Sequence, residues 1–355
     1  MDKGSIKRVN LALQGGGAHG AFGWGVLDKL LEDGRLDIEG LSATSAGSMN
    51  AVVYAYGRMA RGPDGAREAL ERFWRNISEA GALYSPVRAL PWETALGGNV
   101  GQSPFYFLFD TLTRTFSPYQ FNPFNFNPLR DVLAKSVDIE RLAECRCVEL
   151  FLCATNVRTG QPRIFRNEQI TMDVVLASAC LPFLFQAVEV GGEHYWDGGY
   201  MGNPAMYPLF YHTQCRDIVI IHINPVVRPE LPTTAPEIQN RLNEITFNAS
   251  LLKELRAIAF TSKLIEQGWI KDEYRGKLKH LLIHSIRADD ALCGLTVASK
   301  FNTDWSFLCG LRDLGRKAAA QWLEHAYDHI GYHSTVDLRS EYLGAPAVHE
   351  EHAHA

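Results

Sequence analysis

The sequence predicts a three-layer α/β/α domain around a central, mainly parallel sheet, with a largely helical C-terminal portion after it. Three observations carry that expectation. Val9-Asn10-Leu11-Ala12-Leu13 is β-favourable, stops at Gly15-Gly16-Gly17, and gives way to a helix-period pattern through Phe22, Val26, Leu27, Leu30 and Leu31. A second apolar run, Ile38 to Ala43, reaches Ser45 and passes into another helical pattern through Met49, Val52, Val53 and Tyr56. Strand, turn, helix, twice over, is the order of a parallel α/β fold. Beyond Pro232 the character changes to one long amphipathic helix, with Ile238, Leu242, Ile245, Leu252, Leu255 and Ile258 on its apolar side.

The other elements follow in order. Asp33-Gly34 stops the first helix, and a third helix covers about Ala66 to Ile77. From Pro86 to Pro128 prolines alternate with aromatic residues, so no single regular element fits. Loops of this kind inside α/β domains often form lids or binding walls. Strand patterns return at Val148 to Ala154 and Pro162 to Phe165. Gln186 to Trp196 reads as a hairpin around Gly191-Gly192 that delivers Asp197 to a turn. Asp217 to Ile221 is a short buried strand, His280 to Ile286 a last one, and Trp305 to Ile330 a closing helix or pair. The chain thus divides into an α/β domain over 1–225, with 86–128 as a lid-like insertion. A mainly helical portion over 226–343 packs on it, and 344–355 is a flexible tail.

Composition bounds the function. Of 355 residues, 46% are apolar and 21% charged, which excludes wholesale disorder. Forty acids against 35 bases give a net charge of −5, which argues against a nucleic-acid binder resting on an overall basic surface. The seven cysteines are odd in number and form no C-x-x-C pair, so they read as reduced core thiols. No apolar run of signal-peptide length precedes Gly15, and no span reaches the roughly 18 residues of a membrane helix. The expectation is a soluble, cytoplasmic protein.

Three constellations carry chemistry. Gly15-Gly16-Gly17-Ala18-His19-Gly20 lies between a strand and a helix, where unobstructed N–H groups favour negative charge. The string also fits the dinucleotide fingerprint, with Asp37 or Glu39 as the ribose-binding acid, and it can equally be a structural turn. Ala43-Thr44-Ser45-Ala46-Gly47 nearly matches the G-x-S-x-G nucleophile elbow, while a bare helix cap is its plain alternative. Asp197-Gly198-Gly199 would, alone, be only a turn. Together they supply Ser45 on an elbow as nucleophile, Asp197 as base, and the amides of Gly15, Gly16 and Gly17 as a nest of oxyanion donors.

These three motifs, in this order, resemble the patatin-like phospholipase family over about Val9 to Pro204. Asn127-Pro128-Leu129-Arg130, Ala177-Ser178-Ala179-Cys180-Leu181-Pro182 and Asn203-Pro204 support the resemblance. It implies a patatin-like fold and a Ser–Asp dyad, with Ser45 attacking an ester carbonyl and Asp197 taking its proton. Gly16 and Gly17 would hold the oxyanion, Gly15 would shape the loop, and an acyl-enzyme would be released by water. The implied activity is lipid acyl ester hydrolysis of phospholipase A or lysophospholipase type, without cofactor or metal. Acyl transfer to another alcohol would use the same residues, and a non-catalytic scaffold of this fold is the further alternative. Two positions depart from the family pattern. His19 stands where a permanent cation is usual, making charge near the oxyanion pH-dependent, and Ala43 replaces the first glycine of the elbow.

Three smaller readings remain. His194 precedes Asp197 by three residues, which on a strand places them on opposite faces and disfavours a triad. His349-Glu350-Glu351-His352 lacks H-E-x-x-H spacing and reads as a solvated tail. The rings from Phe105 to Phe126, Phe121, Phe124 and Phe126 among them, either fill a loop-rich subdomain or cap an acyl pocket and touch a lipid surface. On that second reading the protein sits peripherally at a membrane.

Overall fold

The computed structural model describes residues 6–84, 111–113, 115–274 and 278–344. Residues 86–110 and 114 of the expected insertion, and the tail from 345, lie outside the described residues. Eight strands build one sheet: β1 (Lys7–Leu13), β2 (Leu36–Thr44), β3 (Glu149–Asn156), β4 (Pro162–Arg166), β5 (Val188–Val190), β6 (Glu193–Asp197), β7 (Asp217–Ile221) and β8 (Leu282–Ile286). Their order is β5-β6-β3-β2-β1-β7-β8, with β4 also paired to β3. The run from β3 through β2, β1 and β7 to β8 is parallel, and β4, β5 and β6 add antiparallel pairs at one side.

Alternation along each strand sorts the core into two layers. Val9, Leu11, Leu13, Leu41, Ala43, Leu150, Leu152, Val219 and Ile221 join one apolar cluster, while Ala12, Phe151, Ile218, Ile220 and Ile283 join another. Period-2 side chains pointing to opposite faces require this split. The longer helices are α1 (Gly20–Asp33), α2 (Ala46–Tyr84), α3 (Pro128–Ser136), α4 (Met172–Ser178), α5 (Ala235–Glu266) and α6 (Trp305–Ala326). The first cluster gathers α1, α2, α3, α4 and α6, and the second takes α5. That is the mainly parallel three-layer α/β architecture the pattern predicts, with β8 extending the sheet into the C-terminal portion.

The helices expected after Ser45 and over 66–77 are both present as the two parts of α2, which non-helical backbone at Arg61 and Gly62 separates just before Pro63. Proline tolerates a helix's first turn and no later one, so Pro63 starts a new stretch. On α5, Ile238, Leu242 and Ile245 are exposed, while Phe247, Leu251, Leu255 and Ile258 are buried. Only the later part of that helix lies against the sheet, so periodicity overstates the buried face.

The C-terminal portion is held by close helix contact. A Cβ on Gly25 of α1 would lie 1.9 Å from the Arg312 carbonyl oxygen, and one on Gly315 of α6 would lie 2.1 Å from the Phe22 oxygen. Backbone cannot retreat as a flexible side chain does, so even a methyl overpacks this crossing. Gly25→Ala is expected to lower unfolding stability by roughly 1–3 kcal/mol, read as a lower urea midpoint at unchanged slope.

Candidate active site

The position of the site follows from strand register. β2 pairs with β3 up to Thr44↔Cys153, and β6 pairs with β3 from Ala154↔Asp197 onward. Because β4 occupies the opposite edge of β3 from Phe151 to Thr155, β2 and β6 must share the remaining edge. The residue leaving β2, Ser45, therefore meets the last residue of β6, Asp197. Both stand at the carboxyl end of the parallel strands, where open α/β sheets place their ligand crevices.

Ser45 is buried, with φ of 56°. A left-handed conformation in a non-glycine residue costs of order 1 kcal/mol or more and needs local support. Its N–H donates to Ser178 Oγ at 3.1 Å, and Ser178 Oγ donates to the Cys153 carbonyl at 2.7 Å. With the Ser178 proton committed, Ser48 Oγ is the donor in the 2.8 Å contact between these two hydroxyls. Ala43, the departure from the elbow pattern, is ordinary buried strand in β2 and needs no glycine. Gly15 is the position without room, since its Cβ would lie 2.5 Å from Ser45 Cβ.

The glycine loop presents two free amides rather than three. Gly15 N–H is taken by Asn203 Oδ1 at 2.6 Å, and Gly15 carbonyl accepts from Asn224 Nδ2 at 2.9 Å. Buried Gln14 braces the same region, accepting from Ile223 and Asn224 N–H and donating to Asn203 O and Asn248 Oδ1. Gly16 and Gly17 N–H have no acceptor among the described residues. Gly17, at φ 58°, also lies so close to Lys300 that a Cβ would sit 2.5 Å from its carbonyl oxygen.

Asp197 is fully buried. Its Oδ1 accepts from Gly199 N–H at 2.7 Å, and Oδ2 has no hydrogen-bond partner among the described residues. Burial pushes the carboxyl up to about 6, while the Gly199 N–H, the Ser45 hydroxyl and the Lys300 charge pull it back. The Ser45 hydroxyl thus bears directly on this carboxyl, in a contact short of full hydrogen-bond geometry. Such contacts often tighten only around substrate.

Ser45, Asp197, Gly16 and Gly17 line one cavity of about 620 Å³. Phe73, Trp74, Ile77, Leu181, Phe185 and Phe247 supply apolar wall, and Phe121, Asn122 and Phe126 bring the described end of the 86–128 segment to it. Among the described residues lining it there is no histidine, and the only charged side chains are Asp197 and Lys300. His194 is paired across β5 with Glu189 instead.

Three readings change here. His19 carries no pH-dependent charge to the loop, because it is buried against Ser299 Oγ at 2.8 Å. Burial and the Lys300 charge bring its imidazole down to about 3, leaving it neutral. Asp37 and Glu39, the acids of the dinucleotide reading, sit in the first half of β2, far along the strand from Ser45. Asp37 pairs with Arg8 and Arg58, and Glu39 accepts from Gln214 and Cys215 N–H. The sequence reading also gave no role to Lys300, which donates to Asn224 Oδ1 at 3.0 Å and Asn243 Oδ1 at 2.7 Å. No local motif marks it.

The patatin-like phospholipase family model matches residues 11–209. The chain belongs to the patatin-like phospholipase family. Among solved structures, VipD from Legionella pneumophila is similar at 16% identity and a TM-score of 0.35, covering 88% of this chain and 67% of that one. No curated protein matches. The family segment contains the glycine loop, Ser45 and Asp197, and it ends before Asn224, Asn243, Asn248 and Lys300, of which Asn243 and Lys300 line the cavity.

Ser178→Ala removes both the acceptor for the Ser45 N–H and the donor to the Cys153 carbonyl. Leaving such buried groups unpaired costs about 1–3 kcal/mol. The expected result is a loss of that size in denaturant unfolding, whatever the substrate.

Proposed function

We propose that this patatin-like phospholipase hydrolyses fatty-acyl esters, of phospholipase A or lysophospholipase type, through a Ser45–Asp197 dyad. The observation that carries the reading is the unpartnered Asp197 Oδ2, buried in the same cavity as a serine held in a strained elbow. A buried carboxylate oxygen without a donor is unfavourable unless its partner arrives with the reaction. Asp197 takes the Ser45 proton as Oγ attacks the ester carbonyl, and Gly16 and Gly17 N–H receive the developing oxyanion. Gly15 keeps the loop close to Ser45 without serving as a donor. The protonated Asp197 then returns its proton to the leaving alcohol, and water attacking the acyl-enzyme repeats the cycle. The helix beginning after Ser45 adds favourable potential for the negative charge.

The cavity's apolar wall and volume suit an acyl chain. Near it, Phe124 is 95% exposed, Phe183 64% and Phe126 50%, an aromatic rim of the kind that favours a water–lipid boundary. Contact with the surface of a membrane therefore belongs to the proposal. Among the described residues no helix is long and apolar enough to cross one.

Hydrolysis of p-nitrophenyl acyl esters tests the dyad. Ser45→Ala and Asp197→Asn are each expected to lower kcat by roughly 10³-fold or more while folding normally. Full activity in either would remove that residue from the chemistry. Since the base must be ionised, kcat/KM should rise with pH through about 6 as Asp197 loses its proton. Replacing Phe124 and Phe183 with serine should reduce flotation with phosphatidylcholine vesicles and leave the cleavage of a soluble short-chain ester in place. Unchanged flotation would sink the membrane contact.

A further inference from the structure

Lys300 stands in the C-terminal portion, 255 residues after Ser45, yet its side chain and backbone both reach the candidate site. Its carbonyl oxygen packs against Gly17, the residue lines the cavity, and its ammonium lies 5.2 Å from the centre of the Phe247 ring, another part of the cavity wall. Asn224 and Asn243 fix that ammonium through their side-chain oxygens, and Asn224 at the same time holds the Gly15 carbonyl. One short network thus joins the cation to the glycine loop.

A desolvated ammonium is unfavourable unless negative charge compensates it. Two carboxylates bear on it, Glu244 of α5 and Asp197. Glu244 is already committed to Arg228 at 2.7 Å and Arg241 at 3.2 Å. His19, facing Lys300 from the loop side, is neutral. Glu244 bears more strongly on Lys300 but is shared with two arginines, whereas Asp197 has no ion-pair partner of its own among the described residues, and during the proposed reaction its charge passes to the substrate oxygen.

We propose that Lys300 is the electrostatic positioning residue of the site, a fixed cation that keeps Asp197 ionised at rest and favours the oxyanion at Gly16 and Gly17 during attack. This rests on the dyad reading above. Because the cation stays while the negative charge moves across the site, it acts on both ends of the transfer without touching substrate. Burial brings Lys300 down to about 8, so its charge is present at neutral pH and lost in mild alkali.

Lys300→Met supplies the kinetic test. Wild type is expected to show a bell-shaped kcat/KM profile, rising near pH 6 and falling near pH 8. In Lys300→Met the alkaline limb should vanish and the acid limb move to higher pH, since Asp197 loses a cation that lowers its pKa. Turnover should fall about 10- to 100-fold with KM little changed, less than the loss of a direct oxyanion donor. Limbs in their wild-type places, or an effect confined to KM, would overturn the proposal.

A second measurement needs no activity. The full chain is ¹³C-methylated on its lysines, and Lys300, assigned by its absence in Lys300→Met, is titrated by NMR. Linkage between the two groups is reciprocal, so Asp197→Asn should make Lys300 titrate at lower pH than in wild type. The same midpoint in both proteins would overturn the pairing. A displaced midpoint together with hydrolysis that survives Ser45→Ala would instead sink the dyad and keep the electrostatic link.

Discussion

Everything at the candidate site depends on how β3 divides one of its edges between two strands. β2 runs beside it to Cys153 and β6 takes over at Ala154, so two chain ends more than 150 residues apart in sequence stop at one point. Hydrogen-bond register sets the approach of Ser45 to Asp197, and the side chains need no long reach. A slip of one residue would turn Asp197 to the other face of the sheet. The antiparallel β4 matters for the same reason, because by filling the opposite edge it leaves β6 this position alone.

Around that point the structure spends polar side chains on backbone. Ser178 secures the elbow, Asn203 takes the Gly15 amide, and Gln14 ties the loop to the chain after β7. Each satisfies a buried group that would otherwise be unpaired. Among the described groups left without a partner, Asp197 Oδ2 and the Gly16 and Gly17 amides belong to residues that line one apolar cavity. Away from water a single charge acts more strongly, and burial dominates the protonation of Asp197, His19 and Lys300 alike.

Features whose cause is local were legible in the sequence. The glycine loop and Ser45 each sit where a strand passes through a tight turn into a helix, and such junctions write themselves into adjacent residues. Asp197 was legible only in company, since an Asp before two glycines is usually a turn. Ala43 and His19 misled in opposite ways. The absent glycine at 43 looked like a handicap, yet positive φ falls at Ser45 itself. The imidazole of His19 looked like a titrating charge, yet its partner, Ser299, lies 280 residues further on. Lys300 was invisible for the same reason. Nothing beside it signals a site, and its surroundings exist only once α5 has packed against the sheet and the turn at Ala298–Phe301 against the glycine loop.

The close crossing of α1 and α6 bears on what counts as the working unit of this protein. α1 begins at the glycine loop, and α6 follows directly on the segment that carries Lys300. Gly25 and Gly315 let the two backbones touch, so the loop's own helix is clamped by a helix from beyond residue 209. The stretch that defines the family holds Ser45 and Asp197, but the helix that begins at the glycine loop is held from outside it. Exchanging C-terminal portions between relatives would then retune the chemistry itself, even with every residue of the family segment left in place.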